Sequence, residues 1–247
     1  MKNLLLAVIL FIPCIVFSQG TEMRNPSSFT KIEVSGAFDT FVEQGNEESV
    51  RIEAEGIDPK KILTEVNQKI LKVYLEKGNY QNIRTKVYIT YKRLEGIARG
   101  GSGNLTCKSN LSSGNFRLSS SGSGDVFIRG NVKAQDLDIH LSGSGDMQLG
   151  ALTANNLNLS VSGSGDVTIS SGNVKKQSIS ISGSGDVSAF GLKSDVLDVS
   201  IAGSGDVEAT VNKTVAGKIA GSGDISYKGD AQIIKNLTVG SGRIRRG

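Results

Sequence analysis

From about residue 100 onward, apolar and polar residues alternate in short runs that recur at nearly constant spacing. Leu137, Ile139 and Leu141 mark one run, Leu157, Leu159 and Val161 the next, and Leu197, Val199 and Ile201 a later one. A period of two predicts strands with aliphatics on one face and Ser, Asn or Asp on the other. A second run, such as Asp166-Val167-Thr168-Ile169, follows each turn, and helical periodicity is absent throughout. Residues 29–98 alternate too, at Ile32 and Val34, Val50-Arg51-Ile52-Glu53-Ala54, Leu71-Lys72-Val73-Tyr74-Leu75 and Val87-Tyr88-Ile89. Only Asp58-Pro59-Lys60-Lys61-Ile62-Leu63 predicts a helix, a short one, with a capping residue ahead of a proline.

Punctuation between the runs is regular. Gly-Ser-Gly occurs eight times, beginning at Gly101, Gly122, Gly143, Gly163, Gly183, Gly203, Gly221 and Gly240, at intervals of 18 to 21 residues. Six copies continue into aspartate, which defines the repeat turns. These are Gly122, Gly124 and Asp125; Gly143, Gly145 and Asp146; Gly163, Gly165 and Asp166; Gly183, Gly185 and Asp186; Gly203, Gly205 and Asp206; and Gly221, Gly223 and Asp224. Asn104 and Arg243 take the aspartate place in the end copies, as expected of terminal units in a stacked array. The glycines supply the φ > 0 conformations of a tight turn, and the aspartate can accept hydrogen bonds from backbone N–H groups there.

One such unit cannot bury its own apolar face, whereas stacked units can. Coils about 4.8 Å apart would make a rod on the order of 35 Å long. The expected fold is therefore all-β: a right-handed parallel β-solenoid over 99–247, preceded by a β-rich head at 19–98 that caps its N-terminal end. An antiparallel meander with Gly-Ser-Gly hairpins is the rival reading, but it has no need for such uniform units.

Residues 1–18 read as a secretory signal peptide, with Lys2, an apolar run from Leu4 to Phe17, and small residues before Gln19. Nothing later is apolar enough to anchor the chain. The protein is expected to be exported, to the periplasm, the outer surface or the medium. Cys14 sits in a poor context for lipid attachment, and cleavage after Ser18 leaves Cys107 alone, as a space-filler without a base beside it.

Composition narrows the function classes. Glycine reaches 31 of 247 residues without the period of collagen, and tryptophan is absent. A net charge of +4 comes from interleaved acids and bases, so no nucleic-acid surface is expected. The only basic cluster, Arg243-Ile244-Arg245-Arg246, reads as a solvated end.

Phe29-x-Lys31-Ile32-x-Val34-Ser35-Gly36-Ala37-Phe38-Asp39, Val42-Glu43-Gln44-Gly45 and the Gly-Ser-Gly-Asp series together resemble the head GIN domain family of auto-transporter adhesins. The resemblance spans nearly all of the chain after the leader. It implies a superhelix of two β-sheets similar to pectin lyases, with Gly-Ser-Gly at the turn between them. It also implies adhesion without the catalytic residues of those enzymes.

Weighed residue by residue, chemistry finds little support. A column of single aspartates supplies calcium, which prefers six to eight oxygens, poorly, so no metal or cofactor is expected. His140, the one histidine, stands opposite the aliphatics with Asp138 on its own strand face, and reads as a surface residue. Polysaccharide cleavage is the enzymatic alternative, and a structural envelope module the other. The expected role is recognition of an extracellular glycan or surface protein by the polar strand faces, at residues such as Asn158 and Ser160. The ligand-binding residues and the oligomeric state stay open.

Overall fold

The computed structural model describes residues 20–247, so the expected leader at 1–18, with Cys14, lies outside the described residues. The described chain winds as a parallel β-solenoid in which each strand pairs in register with its equivalent one coil on. A first ladder, built from the runs before each corner, stacks Lys31–Gly36, Gly96–Gly101, Asn115–Gly122 and Asp136–Gly143. It continues through the C-terminal ends of Met147–Gly163, Val167–Gly183, Val187–Gly203 and Val207–Gly221 to Gln232–Gly240. A second ladder follows the corners, from Asp39–Gln44 through Leu105–Cys107 and Val126–Ile128 to Ile225–Lys228 and Ile244–Arg246.

A third, narrow ladder of Leu111, Val132, Leu152, Gly172 and Leu192 closes the coils, where the repeat and the family resemblance lead one to expect two sheets. It forms because the linking segment alternates as well: Leu152 and Ala154 are buried while Thr153 between them is exposed. Within that coil Met147, Leu149, Leu152, Leu157, Leu159 and Val161 are each at most 2% exposed. Each such burial contributes on the order of 1.5–3 kcal/mol, and only because a coil above and a coil below cover it.

The Gly-Ser-Gly corners stack directly on one another. The first glycine of each has φ between 101° and 143°, a region that L side chains avoid. The second glycine is needed for a different reason than the turn conformation expected of it. At Gly145, Gly165, Gly185, Gly205 and Gly223 an added Cβ would overlap the carbonyl oxygen of the equivalent glycine one coil earlier. Close approach of two backbones, rather than positive φ, excludes a side chain there.

At the N-terminal end both broad ladders are continued by strands that close the rod. Lys31–Gly36 pairs with Ile70–Leu75, which forms an antiparallel hairpin with Ile62–Asn67. Gln68 and Lys69 turn that hairpin with φ of 49° and 64°, the signs of a type I′ turn. Asp39–Gln44 pairs with Arg84–Tyr91, followed antiparallel by Ser49–Glu55 and Gly20–Arg24. Phe29, Ile52, Ile62, Leu71, Ile89 and Tyr91 fill the space between, each at most 2% exposed. The expected helix is a single 3₁₀ turn, Pro59–Lys61, where Asp58 accepts from the Lys60 N–H at 2.9 Å. It goes no further because Ile62–Asn67 commits its backbone groups to the hairpin.

Candidate functional site

The sequence-selected turn residues come together as one continuous corner. The N–H of each corner serine donates to the first glycine of the coil below, as from Ser164 to Gly143 and Ser184 to Gly163, both at 2.9 Å. Each aspartate Oδ1 accepts from the backbone N–H of the next coil's aspartate. Asp146 donates to Asp125, Asp166 to Asp146, Asp186 to Asp166, Asp206 to Asp186 and Asp224 to Asp206, at 2.7–3.0 Å. Asp39 and Asn104 begin the same chain and Arg243 ends it. A carboxylate held this way is charge-assisted and oriented along the rod, which offsets the repulsion expected of stacked acids. Among the described residues no group of three or more His, Cys, Asp or Glu is placed to hold a metal ion.

A groove lies elsewhere, on the outer face of the first ladder near the capped end. Strand Gly96–Gly101 points Gly96, Ala98 and Gly100 outward, all small. Its neighbours carry longer side chains at the same heights. Lys31, Glu33 and Ser35 form one wall, and Arg117, Ser119 and Ser121 the other. A shallow groove results, with two adjoining hollows of about 220 Å³ and 340 Å³ and a length of about 20 Å for six extended residues. His140 and Ser142 border its open side.

Beneath the floor, Arg99 points inward and is 4% exposed. Its Nε donates to the Gly103 carbonyl at 2.8 Å and its Nη1 to the Ser121 carbonyl at 3.2 Å. Burial lowers its pKa, with Asp125 acting in the opposite sense. The arginine fits because Ser120, its neighbour one coil on, is small where the same column later carries Leu141 and Val161. On the walls, Lys72 sits 3.6 Å from Glu33, and Arg117 3.8 Å from Asp138. On this outer face Lys31, Lys72 and Arg117 exceed Glu33 and Asp138 by one charge, a slight positive bias.

The remaining sequence candidates take simpler places. His140 stands half-buried between Ser119 and Ser160, in the column opposite the aliphatics, and makes no side-chain hydrogen bond among the described residues. Asn158 and Ser160 are on the same outer face, and Asn158 donates to Asp138 Oδ1 at 2.9 Å. Cys107 is buried in the second ladder, where burial pushes its thiol up to about 11. The thiolate form needed for nucleophilic chemistry is thereby suppressed.

Sequence reasoning missed the groove. Its signal is the small-x-small-x-small pattern of Gly96-Ile97-Ala98-Arg99-Gly100, whose meaning depends on knowing that residues 31–36 lie alongside. Among the described residues no helix is long and apolar enough to cross a membrane.

The profile of the family described as "Putative auto-transporter adhesin, head GIN domain" matches twice, at residues 28–132 and 117–231. No curated protein matches significantly. Among solved structures, a putative adhesin from Parabacteroides distasonis superposes with a TM-score of 0.87 at 24% identity, covering 94% of this chain and 98% of its own. A putative adhesin from Parabacteroides merdae gives a TM-score of 0.88 at 22% identity, covering 93% and 96%. A "putative lipid binding protein" from P. distasonis gives 0.84 at 28% identity, again covering 93% and 96%.

Proposed function

Because the chain belongs to the head GIN domain family, we propose that it works outside the cytoplasm as a non-catalytic recognition module of the cell surface. Its ligand is an extended chain, a glycan or a peptide segment, laid along the groove over Gly96, Ala98 and Gly100. The groove carries this reading. It is straight, polar-walled, and floored by a strand whose outward residues are small. Regular strand geometry fixes the spacing of Lys31, Glu33, Arg117 and Ser119 on its walls, which suits a repeating ligand better than a compact one. The positive bias favours acidic chains, such as uronate-containing glycans, over neutral ones.

The adhesin names of the family and of two structural neighbours support the same reading. One neighbour has a lipid-binding name; the walls here carry Lys31, Glu33, Arg117 and serines, with Ile70 as an apolar residue at one end, which suits a polar chain with an apolar contact. The residues support a role without chemistry. Each corner aspartate from Asp125 to Asp224 holds a backbone amide, Cys107 is buried and protonated, and His140 has no carboxylate bonded to it among the described residues.

The test is binding of the chain from residue 20 to an array of glycans and extracellular-matrix proteins, beside an Ala98→Phe variant that fills the groove. Saturable binding to an acidic glycan or an extended peptide, lost by at least tenfold in the variant, is the expected result. Absence of binding would replace this reading with a structural envelope role. Binding that A98F leaves intact would move the site off the groove.

A further inference from the structure

The C-terminal edge of the rod breaks the pattern of the coils before it. In five successive coils, from Leu141 through Ile219, the residue two places before the corner glycine is aliphatic and buried. Before Gly240 that place is taken by Thr238, and the apolar residues are Leu237 and Val239, one step out of phase. The corner glycines nonetheless stay in register, Gly221 with Gly240, because Ile234 is an extra residue in the last strand. Leu237 and Val239 therefore join the outward columns, beside Lys218 and Ala220, while Asn236 and Thr238 take the inward ones.

A reversed period places every side chain on the other face. The whole last strand is exposed; the reversed period places Leu237 and Val239, at 55% and 77% exposure, on a face that is polar in earlier coils, and the extra residue Ile234 is 65% exposed. The corner-side column changes along the rod from Ser162 and Ser182 to Ala202, Ala220 and Val239. Among the described residues, strand Gln232–Gly240 also pairs on one side only, with Val207–Gly221, so half of its backbone groups lack a strand partner there. The N-terminal end has cap strands in the corresponding place.

Three occupants could cover such an edge, and charge and backbone chemistry separate them. A membrane would take the apolar side chains but leave the unpaired amides in hydrocarbon without partners. A second copy joined edge to edge would bring two basic ends together. Arg245 and Arg246 pair with Asp224 and Asp230, but Lys218, Lys235 and Arg243 have no ion pair among the described residues. An extended segment of another protein satisfies all three demands if it carries acids and is apolar at alternate positions.

We propose that residues 235–239 are a docking edge for an acidic, alternately apolar segment of a partner protein, which adds as a strand to the first ladder. Its outward side chains pack beside Leu237 and Val239, its acids meet Lys218, Lys235 and Arg243, and its backbone pairs with the open edge. This edge is several coils from the groove and does not depend on the groove's ligand.

The experiment uses the chain from residue 20 and a fluorescent peptide of alternating valine and acidic residues. Controls are the same peptide with lysine for each acid, and phosphatidylglycerol vesicles. The expected result is saturable binding of the acidic peptide, at least tenfold tighter than the lysine peptide, with shifts of the 235–239 amide signals by NMR. A Leu237→Ser/Val239→Ser double variant, altered only at exposed positions, should keep its melting temperature and lose at least tenfold in affinity. Equal affinity for both peptides, or none, overturns the proposal. Vesicle binding without peptide binding would assign the edge to lipid. A concentration-dependent dimer that protects 235–239 would assign it to a second copy.

Discussion

The two ends of this rod solve the same problem in opposite ways. Any stacked array leaves its first and last coils with one uncovered surface. At the N-terminal end the turn Gly36-Ala37-Phe38-Asp39 stacks beneath the Gly-Ser-Gly column, and Phe38 stands where every later corner has its second glycine. At that position the Cα–Cβ direction points at the coil below. Inside the rod it would strike backbone, but under the first turn the described residues form no further corner. Phe38 projects into that space and is 3% exposed, flooring the column with an aromatic ring. Among the described residues the C-terminal end has no such floor. Its last strand instead turns Leu237 and Val239 outward and leaves its edge open. One backbone position thus demands glycine or accepts phenylalanine, according only to whether another coil lies beneath it.

Substitutions can strain that comparison, and the interior corner should respond most. Gly165→Val places a branched side chain against the Gly145 carbonyl, with no route for it to move. A loss above about 4 kcal/mol is expected, read as failure to recover soluble folded protein; a normal melt would refute the close-approach account. Phe38→Ala removes the floor and leaves a cavity, at a cost of about 3–5 kcal/mol, measurable by urea unfolding. At the open end, Leu237→Ser should change stability by no more than about 0.5 kcal/mol, despite removing a leucine from a strand. A cost near that of an interior leucine would mean that Leu237 is buried, contrary to the reversed phase.

Much of this architecture was legible beforehand, for a physical reason. The Gly-Ser-Gly spacing is imposed by the circumference of a coil, so eight copies reveal a parallel stack, and strand alternation at Leu157, Leu159 and Val161 reveals its inner face. The same logic extends to Gly36-Ala37-Phe38-Asp39, which escapes a search for Gly-Ser-Gly because both small residues after Gly36 are replaced. The third ladder was harder to read, since Leu111-Ser112 and Val132-Lys133 are strands of only two residues. The groove could not be read at all. It depends on Lys31–Gly36 lying beside Gly96–Gly101, a pairing separated by the whole excursion through the cap strands, and no local pattern encodes that adjacency. The reversed phase before Gly240 was present in the residues. It becomes informative only when the corner register shows which face each residue must take.

Amide hydrogen exchange on the free chain from residue 20 tests the contrast between the ends most directly. The account predicts slow exchange throughout Ile70–Leu75 and Arg84–Tyr91 within the cap, and in the first-ladder part of Val207–Gly221. In Gln232–Gly240 it predicts fast exchange at alternate amides, those facing the open edge. Uniform protection of 232–240, equal to that of 214–221, would contradict it, because that edge would then already be covered.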